Sequence, residues 1–498
     1  MRFDGRSNLT SKRVAAGSAA LTLTVLMLVL VGCGGTASTN TAPATPKTVV
    51  QIRMGDAPSD LVVSLQLTIQ SIVATMASGG TTSLLSQPTT VEVAHLANAG
   101  EPLESIEMAA GNYSQITITV SAAKLTFLST STGQPVQQQF NYNPNEVTTI
   151  NLSPALAIGT SPTVLNFDVN VPSTVNVDPM ANTGSLNVPV ISVASSPMGP
   201  AAGPQTPDNG GVLHTAGTVT NVVGSSFTLQ VGQTGTALVF TTDVTTRFTN
   251  ASYSNLASIS NAIVVVQGKS QDNGSLLATS VQGLEAATGV EMEGLLTGRS
   301  TNLNLVFQDG TGQAITPSMV GSTMSVDMSQ TNNFYIDAED VDLTGISYTF
   351  DGSDIVPGQR VLAESGSMLQ PDPDGNAGLM SPTASLTLEE QIVTGMVANY
   401  GPGQNPRTFE FDLNLPADGT SYLTVIAPAT SVVHVVQQAA TDTTSMTSGI
   451  VNGASVQVRG LLFYSLAPPA VAQMRSTPLI IPKRNPKPYI MVAGRISP

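Results

Sequence analysis

Hydrophobic and polar positions alternate along most of the chain after residue 46. A period of two is typical of half-buried β-strands. Five early runs show it and are rich in β-branched residues: 48–54 (TVVQIRM), 61–76 (LVVSLQLTIQSIVATM), 89–96 (TTVEVAHL), 114–128 (SQITITVSAAKLTFL) and 163–171 (TVLNFDVNV). Turn-forming clusters separate these runs, and no strong amphipathic helix interrupts them. The pattern predicts an antiparallel β-sandwich over residues 47–195.

A Pro- and Gly-rich stretch, residues 196–211 (SPMGPAAGPQTPDNGG), predicts a linker and a domain boundary. Beyond it, a unit that begins with a strand at Gly217 recurs at Gly294 and Gly395. Each unit has the same order of strand-like segments, and the resemblance described below implies that each forms a small β-barrel, whose closure would remove exposed sheet edges. We place the three barrels at residues 212–286, 287–390 and 391–475.

Two parts of this all-β chain resemble known families. Residues 47 to about 195 resemble the bacterial and archaeal domain-of-unknown-function family 4382. The matching elements are Gly55-Asp56-Ala57-Pro58-Ser59-Asp60, VVSLQLTIQSIVA, and Ala110-Gly111-Asn112-Tyr113-Ser114-Gln115-Ile116 before ITITV. The family usually has Thr or Ser where this chain has Gly55. The first barrel resembles the domain-of-unknown-function family 5666, and the other two match it more loosely. These resemblances imply a sandwich followed by about three small OB-like barrels, and no mechanism.

The start of the chain differs in composition. Four basic residues precede the apolar run 19–31 (AALTLTVLMLVLV), in the order of a secretory signal. The run is shorter than the roughly 20 apolar residues that a transmembrane helix needs. It ends at Leu30-Val31-Gly32-Cys33, which resembles the bacterial lipobox. The resemblance implies cleavage after residue 32 and lipidation of Cys33, including acylation of the kind that palmitate labels. The alternative is a buried cysteine in an uncleaved signal anchor.

Residues 33–46 (CGGTASTNTAPATP) predict a flexible tether between the lipid and the first domain. Two or three acyl chains on one residue suffice for stable membrane anchoring. In the lipobox family, an aspartate after the cysteine retains the protein in the inner membrane of enteric bacteria, and this chain has Gly34. We therefore expect a bacterial cell-envelope protein of the outer membrane that faces the periplasm or the cell surface.

Charge and aromatic content exclude some partners. The formal net charge of −15 becomes about −18 once residues 1–32 leave with Asp4 and four basic residues. This charge disfavours nucleic acid. The chain has no tryptophan, and its few tyrosines lack the clustering on which sugars stack. Tyr113 is better explained as a tyrosine at a sheet corner.

Residues 476–498 form a basic, Pro-rich tail with Lys483, Arg484, Lys487 and Arg495. The tail could dock on an acidic partner, extend into solvent or add an edge strand. The last two are the more ordinary outcomes for a chain end.

Candidate catalytic residues are few. His95, His214 and His434 fall in three different units and form no local pair of metal ligands. With its single cysteine lipidated, the mature chain has no thiol for a disulfide or a thiolate metal site. No nucleophile elbow and no phosphate-binding loop occurs.

Carboxylates are the remaining candidates. Asp337, Glu339, Asp340 and Asp342 cluster in DAEDVD and are weak candidates for a Ca²⁺ site. Asp372 and Asp374 in PDPDGN align with a hairpin turn of the preceding barrel, which favours a turn. Asp56 and Asp60 flank Ala-Pro, where they predict either a turn after the first strand or a functional loop.

Together these features predict a non-enzymatic binding or structural (adhesion) module without a cofactor. Its membrane contact would be the lipid anchor, and its partner an envelope or extracellular protein or a glycan. The alternative is an envelope hydrolase or carbohydrate-processing enzyme with a carboxylate pair at a domain interface. Glycoside hydrolysis would need two carboxyl groups roughly 5–10 Å apart.

Overall fold

A computed structural model describes residues 45–498, with gaps. The residues outside the description are 58–60, 95–100, 199–210, 232–235, 250–255, 257–262, 272–274, 284–289, 300–301, 313–314, 330, 332, 339–340, 347, 366–378, 381–382, 402–407, 417–420, 428–430 and 465–488. Within the described part, nearly all regular structure is β-strand, which confirms the predicted all-β fold. No helix in that part is long and apolar enough to cross a membrane.

The first domain is a sandwich of a four-stranded and a five-stranded sheet, and it also contains a separate two-stranded sheet. Its elements are β1 (Lys47–Ala57), β2 (Val62–Met76), β3 (Thr81–Ser83), β4 (Thr89–Glu92), β5 (Glu101–Ala109), β6 (Gly111–Leu128), β7 (Pro135–Ile158), β8 (Thr163–Asn170), α1 (Val171–Thr174), β9 (Val175–Asp178), β10 (Thr183–Leu186) and β11 (Ile191–Pro197). One sheet of the sandwich has the order β11-β8-β1-β5, and the other has the order β3-β2-β6-β7 with β4 also on β2; the separate two-stranded sheet is β10-β9. The inward faces of both sheets form one hydrophobic core, as the alternation predicted.

One pairing departs from the expected antiparallel arrangement. β1 and β8 run parallel, with Ile52 opposite Leu165. These strands are distant in sequence, so the chain between them can cross to the other sheet and return. The expected tyrosine corner is confirmed, because buried Tyr113 donates its Oη–H to the Ala109 carbonyl (2.9 Å) where the chain passes from β5 to β6.

Three barrels follow the sandwich, each built on five strand positions. The first contains β12 (Gly211–Val223), β13 (Ser226–Val231), β14 (Ala237–Thr241), β15 (Arg247–Thr249), β16 (Ile263–Ser270) and β17 (Leu276–Gly283). The second contains β18 (Val290–Arg299), β19 (Leu303–Gly312), a 3-10 turn (Pro317–Met319), β20 (Thr323–Val326), β21 (Asn333–Ile336), β22 (Arg360–Ser365), β23 (Leu379–Met380) and β24 (Thr383–Leu388). The third contains β25 (Glu390–Ala398), β26 (Thr408–Asn414), α2 (Tyr422–Ile426), β27 (Val432–Asp442), β28 (Ser455–Tyr464) and β29 (Tyr489–Ser497). β15 in the first barrel and β21 in the second are additional strands that pair in parallel with β17 and β24, respectively.

The barrels share one connectivity. The strand at the third position pairs in parallel with the strand at the fifth position. The fifth strand also pairs with the fourth, and the fourth pairs with the first. In the last barrel these pairings close the ring β25-β26-β27-β29-β28. In the second barrel, the consecutive strands β23 and β24 share the fifth position, pairing with β20 and β22 respectively. A five-stranded Greek-key barrel is the architecture of OB folds.

The glycine that opens each repeat has a common structural reason. A Cβ on Gly217 would overlap the carbonyl oxygen of Gln230 on the second strand, and a Cβ on Gly294 would overlap that of Val306. At Gly395 the added atom would lie 3.0 Å from Leu413 Cβ. Only a residue without a Cβ lets the first two strands approach this closely.

The end of the chain corrects two expectations. We placed the end of the third barrel at residue 475 and a tail at 476–498, but β29 is the fifth strand of that barrel. Residues 489–497 are therefore neither a solvated extension nor an edge strand, because β29 has a strand on each side. Arg495 within it faces Asp442 (3.6 Å). Lys483, Arg484 and Lys487 lie outside the described residues.

Candidate functional site

The acidic candidates for calcium do not form a described site. Asp342 Oδ1 accepts the amide N–H of Thr344 (2.8 Å), and hydrogen bonds with the Thr344 side chain and backbone lower the pKa of Asp342. Asp337 follows β21, and its own amide donates to the Leu388 carbonyl (3.0 Å). Glu339, Asp340, Asp372 and Asp374 lie outside the description. In the described segments no three His, Cys, Asp or Glu side chains converge on a metal position, so calcium stays a prediction.

Several other candidates have only a backbone position or none. Asp56 lies within β1, opposite Val169 of β8, and so stands inside the strand instead of in a turn after it. His214 lies in β12. Cys33, Asp60 and His95 fall outside the described residues.

His434 is the histidine with a defined partner among the described residues. Asp412 on β26 lies directly opposite His434 on β27, and Oδ1 of Asp412 is 2.5 Å from Nδ1 of His434. Asn399, just after β25, donates its Nδ2–H to the other oxygen of Asp412 (2.9 Å). Asn399 has a φ of 55°, a conformation that asparagine tolerates better than most residues.

This pair has opposite pKa shifts. The hydrogen bond to Asp412 raises the pKa of His434 against the opposing effect of burial. Burial would raise the pKa of Asp412, but its hydrogen bonds to His434 and Asn399 outweigh burial and lower it. Each partner therefore favours the charged form of the other, which is the behaviour of a structural ion pair.

A second polar group lies on the outer face of the sheet β3-β2-β6-β7. Its members are Gln66, Lys124, Thr126 and Gln137, which we call the docking face. Their donors reach four main-chain carbonyls of the second barrel: Gln66 Nε2 to Pro317 (2.9 Å), Lys124 Nζ to Ser318 (2.7 Å), Gln137 Nε2 to Val320 (3.2 Å) and Thr126 Oγ1 to Gly321 (3.2 Å). The docking face thus holds the β19–β20 connection through its backbone.

Strand register explains why these four side chains converge. Lys124 lies opposite Gln66 across β2 and β6, and Thr126 lies opposite Gln137 across β6 and β7. Positions 124 and 126 share one face because side chains alternate along a strand. The docking face is therefore two adjacent cross-strand pairs on one sheet.

The contact is buried and reciprocal. Thr126 is fully buried, and only 8% of Lys124 is exposed, so burial lowers the pKa of Lys124. From the second barrel, Gln308 Nε2 donates to the Val63 carbonyl (2.5 Å). Val63 and Leu128 of the sandwich belong to the same hydrophobic cluster as Leu295 of the second barrel. Burial of a polar group is costly unless it is hydrogen-bonded, and these bonds compensate for it.

Gly321 permits the close approach at the docking face. Its φ is +78°, a conformation that L side chains rarely adopt. A Cβ at this position would overlap Thr126 Oγ1 and would lie 3.0 Å from Gln137 Nε2. The β19–β20 connection can therefore reach the sheet only with glycine at this position.

The second and third barrels each contain an ion pair. Glu389 alone separates β24 from β25. Glu293 pairs with Arg360, and Glu390 pairs with Arg459 Nε (2.8 Å). Burial opposes the charge on Arg360, but Glu293 and Glu389 raise its pKa. Each of these two pairs places a glutamate beside an arginine of its own barrel.

The docking face was not found by sequence reasoning. Its residues were treated only as parts of strands, because periodicity shows which positions share a face but not what covers that face. The signal was Lys124 in SAAKLTFL, a lysine in a run that is otherwise almost wholly small or apolar. Long charged residues are rarely buried without a partner, so a lysine there indicated either a solvated face or an interface.

The fold and these contacts define an all-β protein whose N-terminal sandwich is fixed to a barrel through main-chain carbonyls. Residues 47–187 match the model of a family described as a domain of unknown function, DUF4382. The matched segment covers the sandwich from β1 to β10 and ends before its last strand, β11. No curated protein and no solved structure matches the chain.

Proposed function

We propose that this chain is a lipid-anchored cell-envelope protein that acts as a non-enzymatic structural or binding module. The observation that carries the proposal is the docking face. Domains in one chain usually move relative to one another unless their interface is large and apolar. Here four side-chain donors, one of them a buried lysine, fix the sandwich to the second barrel. The anchor would therefore hold the barrels at a set distance from the membrane, and a force on the barrels would reach the anchor through this contact.

The anchor in this proposal is Cys33. Residues 34–46 lie between it and β1, and an extended chain spans at most about 3.6 Å per residue. The sandwich would then lie within roughly 50 Å of the membrane surface. Gly34 in place of aspartate favours the outer membrane as the location of the anchor. We also propose that the first barrel is related to the domain-of-unknown-function family 5666.

The ion pairs within the second barrel and within the third barrel favour a structural role over the hydrolase alternative. The pKa values of Asp243, Asp342, Asp412 and Asp442 are all lowered, so none of these four is protonated near neutral pH to act as a general acid. The partner in this proposal is an envelope or extracellular protein or a glycan.

Labelling with radioactive palmitate tests the anchor. Cells producing the full chain should incorporate label and carry the protein in the outer-membrane fraction, whereas Cys33→Ala should lose both. The matched control is Ser38→Ala, a change within the tether that leaves Cys33 in place. Equal labelling of the Cys33→Ala chain would refute lipidation at this residue.

A pull-down from envelope extract with the lipidated chain tests the binding role. The matched control is Gly321→Ala, which disturbs the docking face and leaves the anchor intact. A partner captured by the native chain but not by the variant would support a module whose binding depends on fixed domains. Enzymatic turnover of envelope glycans by the purified chain would contradict the non-enzymatic part of the proposal.

A further inference from the structure

The third barrel depends on its last strand. β29 lies between β27 and β28, running parallel to the first and antiparallel to the second. Val435 of β27 pairs with Met491, and Leu462 of β28 pairs with the same residue. Without β29, the described pairings leave both neighbouring strands with an open edge. We call the space between β27 and β28 the strand slot.

The two faces of β29 fit two different surroundings. Tyr489, Met491 and Ala493 belong to the core of the third barrel. Ile490 and Val492 belong to the hydrophobic cluster of the second barrel. The slot therefore selects a strand that is apolar on both sides.

Polar contacts add selectivity at both ends of the slot. Tyr489 Oη–H donates to the Pro357 carbonyl of the second barrel (2.7 Å). Thr441 Oγ1 donates to the Ala493 carbonyl (2.7 Å), and Arg495 faces Asp442 (3.6 Å). An occupant needs a phenol at its start and a cation near its end, in the spacing of YIMVAGRIS.

The connection to β29 is much longer than the geometry requires. Tyr464, the last residue of β28, lies opposite Tyr489, the first residue of β29. Two such antiparallel neighbours can be joined by a two-residue turn. Twenty-four residues, 465–488, connect them here, whereas 271–275 suffice between the equivalent β16 and β17. At about 3.3 Å per residue, the longer connection can span roughly 80 Å.

We propose that the strand slot is an interaction surface for a second copy of this chain, which inserts its own residues 489–497. A strand from another copy reproduces every pairing and side-chain contact of the native one, and only the path of residues 465–488 changes. Such an exchange of identical elements is a low-cost route to a dimer. The chain's own strand competes at an effective concentration on the order of millimolar, so exchange takes place where copies are crowded.

The test uses pairs of full chains that each carry Cys33→Ala and one new cysteine. Gln457 and Ser497 lie opposite each other on β28 and β29, where cross-strand Cβ atoms are about 5 Å apart. A Gln457→Cys chain and a Ser497→Cys chain are unfolded together, refolded at increasing concentration, and treated with a short bismaleimide. We expect the covalent heterodimer to exceed that of a control pair by about tenfold near millimolar concentration.

The control pair combines Ser497→Cys with Val244→Cys, a fully exposed position in the first barrel that has no register with β29. A chain carrying both Gln457→Cys and Ser497→Cys should cross-link within itself when dilute. Heterodimer no more abundant than in the control pair at every concentration overturns the proposal. Failure of the double variant to cross-link internally also overturns it, because β29 would then not lie beside β28.

Discussion

Gly321→Ala adds a single carbon atom, the Cβ, at the docking face. Two independent penalties follow from the structure. The backbone is held at a φ of +78°, and the new Cβ overlaps Thr126 Oγ1, which donates to the Gly321 carbonyl. Gly345→Ala is a matched control, because its φ is +79° and its Cβ would meet no described atom within 4 Å. The two variants share the backbone penalty and differ only in the contact.

The expected magnitudes separate these penalties. A left-handed conformation costs an L residue about 1–2 kcal/mol, which applies to both variants. Displacement of Thr126 removes a hydrogen bond worth about 1 kcal/mol and leaves a buried hydroxyl group without it. We therefore expect Gly321→Ala to lower the free energy of unfolding by about 2–4 kcal/mol, and Gly345→Ala by about 1–2 kcal/mol.

Hydrogen exchange and urea denaturation measure this difference. Amide exchange in β6 and in residues 315–322 should accelerate in Gly321→Ala, while Gly345→Ala leaves these amides protected. Gly321→Ala combined with Thr126→Ala should recover part of the loss, because the overlap is then removed. Equal loss of stability in the two single variants, with unchanged exchange at the docking face, would refute the role assigned to Gly321.

Three further predictions concern other contacts. Tyr113→Phe should lower the free energy of unfolding by about 1 kcal/mol, measured by urea denaturation, since it removes the hydrogen bond from Tyr113 to the partly buried Ala109 carbonyl at the sheet corner. The raised pKa of His434 stabilises the fold fully below pH 6.5, and this contribution is lost as the pH rises through the folded pKa of His434. The lowered pKa of Asp412 stabilises the fold above pH 3.8, and this contribution is lost as the pH falls through the folded pKa of Asp412. Asp412→Asn should therefore lower the pKa of His434 in an NMR titration, and an unchanged pKa would contradict the pairing. Arg360→Ala should lower the free energy of unfolding by about 3 kcal/mol because the largely buried Glu293 loses its ion pair with Arg360. Adding Glu293→Ala should restore part of this loss; no restoration would show that the pair is not coupled.

Much of the fold could be predicted from the sequence because the alternation of apolar and polar residues in a strand is a local property. The runs at 61–76 and 114–128 became β2 and β6 with their apolar faces inward, since each side chain position follows from its neighbour. The repeated glycine also predicted the equivalence of the repeats, because Gly217 and Gly294 lie at the same close contact between the first two strands in successive barrels. The boundary at residue 475 failed because β29 is separated from its partners by a long connection.

The docking face was not predictable in the same way. Lys124 and Thr126 could be placed on one face of β6 from periodicity alone. Their acceptors lie almost 200 residues later, at Ser318 and Gly321, in a connection with no strand pattern of its own. The His434–Asp412 pair escaped for a similar reason, because cross-strand register is set by the barrel and not by spacing along the chain.

The sequence by itself determined the strand content, the order of one sandwich and three repeats, and the single cysteine at the start that predicts an anchor. These properties follow from local periodicity and from composition, which need no knowledge of contacts. Only the tertiary structure decided which strands are parallel, that residues 489–497 close the third barrel, and that Gln66 and Lys124 hold the backbone of the second barrel. Those outcomes depend on pairings between distant segments, whose free energy arises only when both partners are buried together.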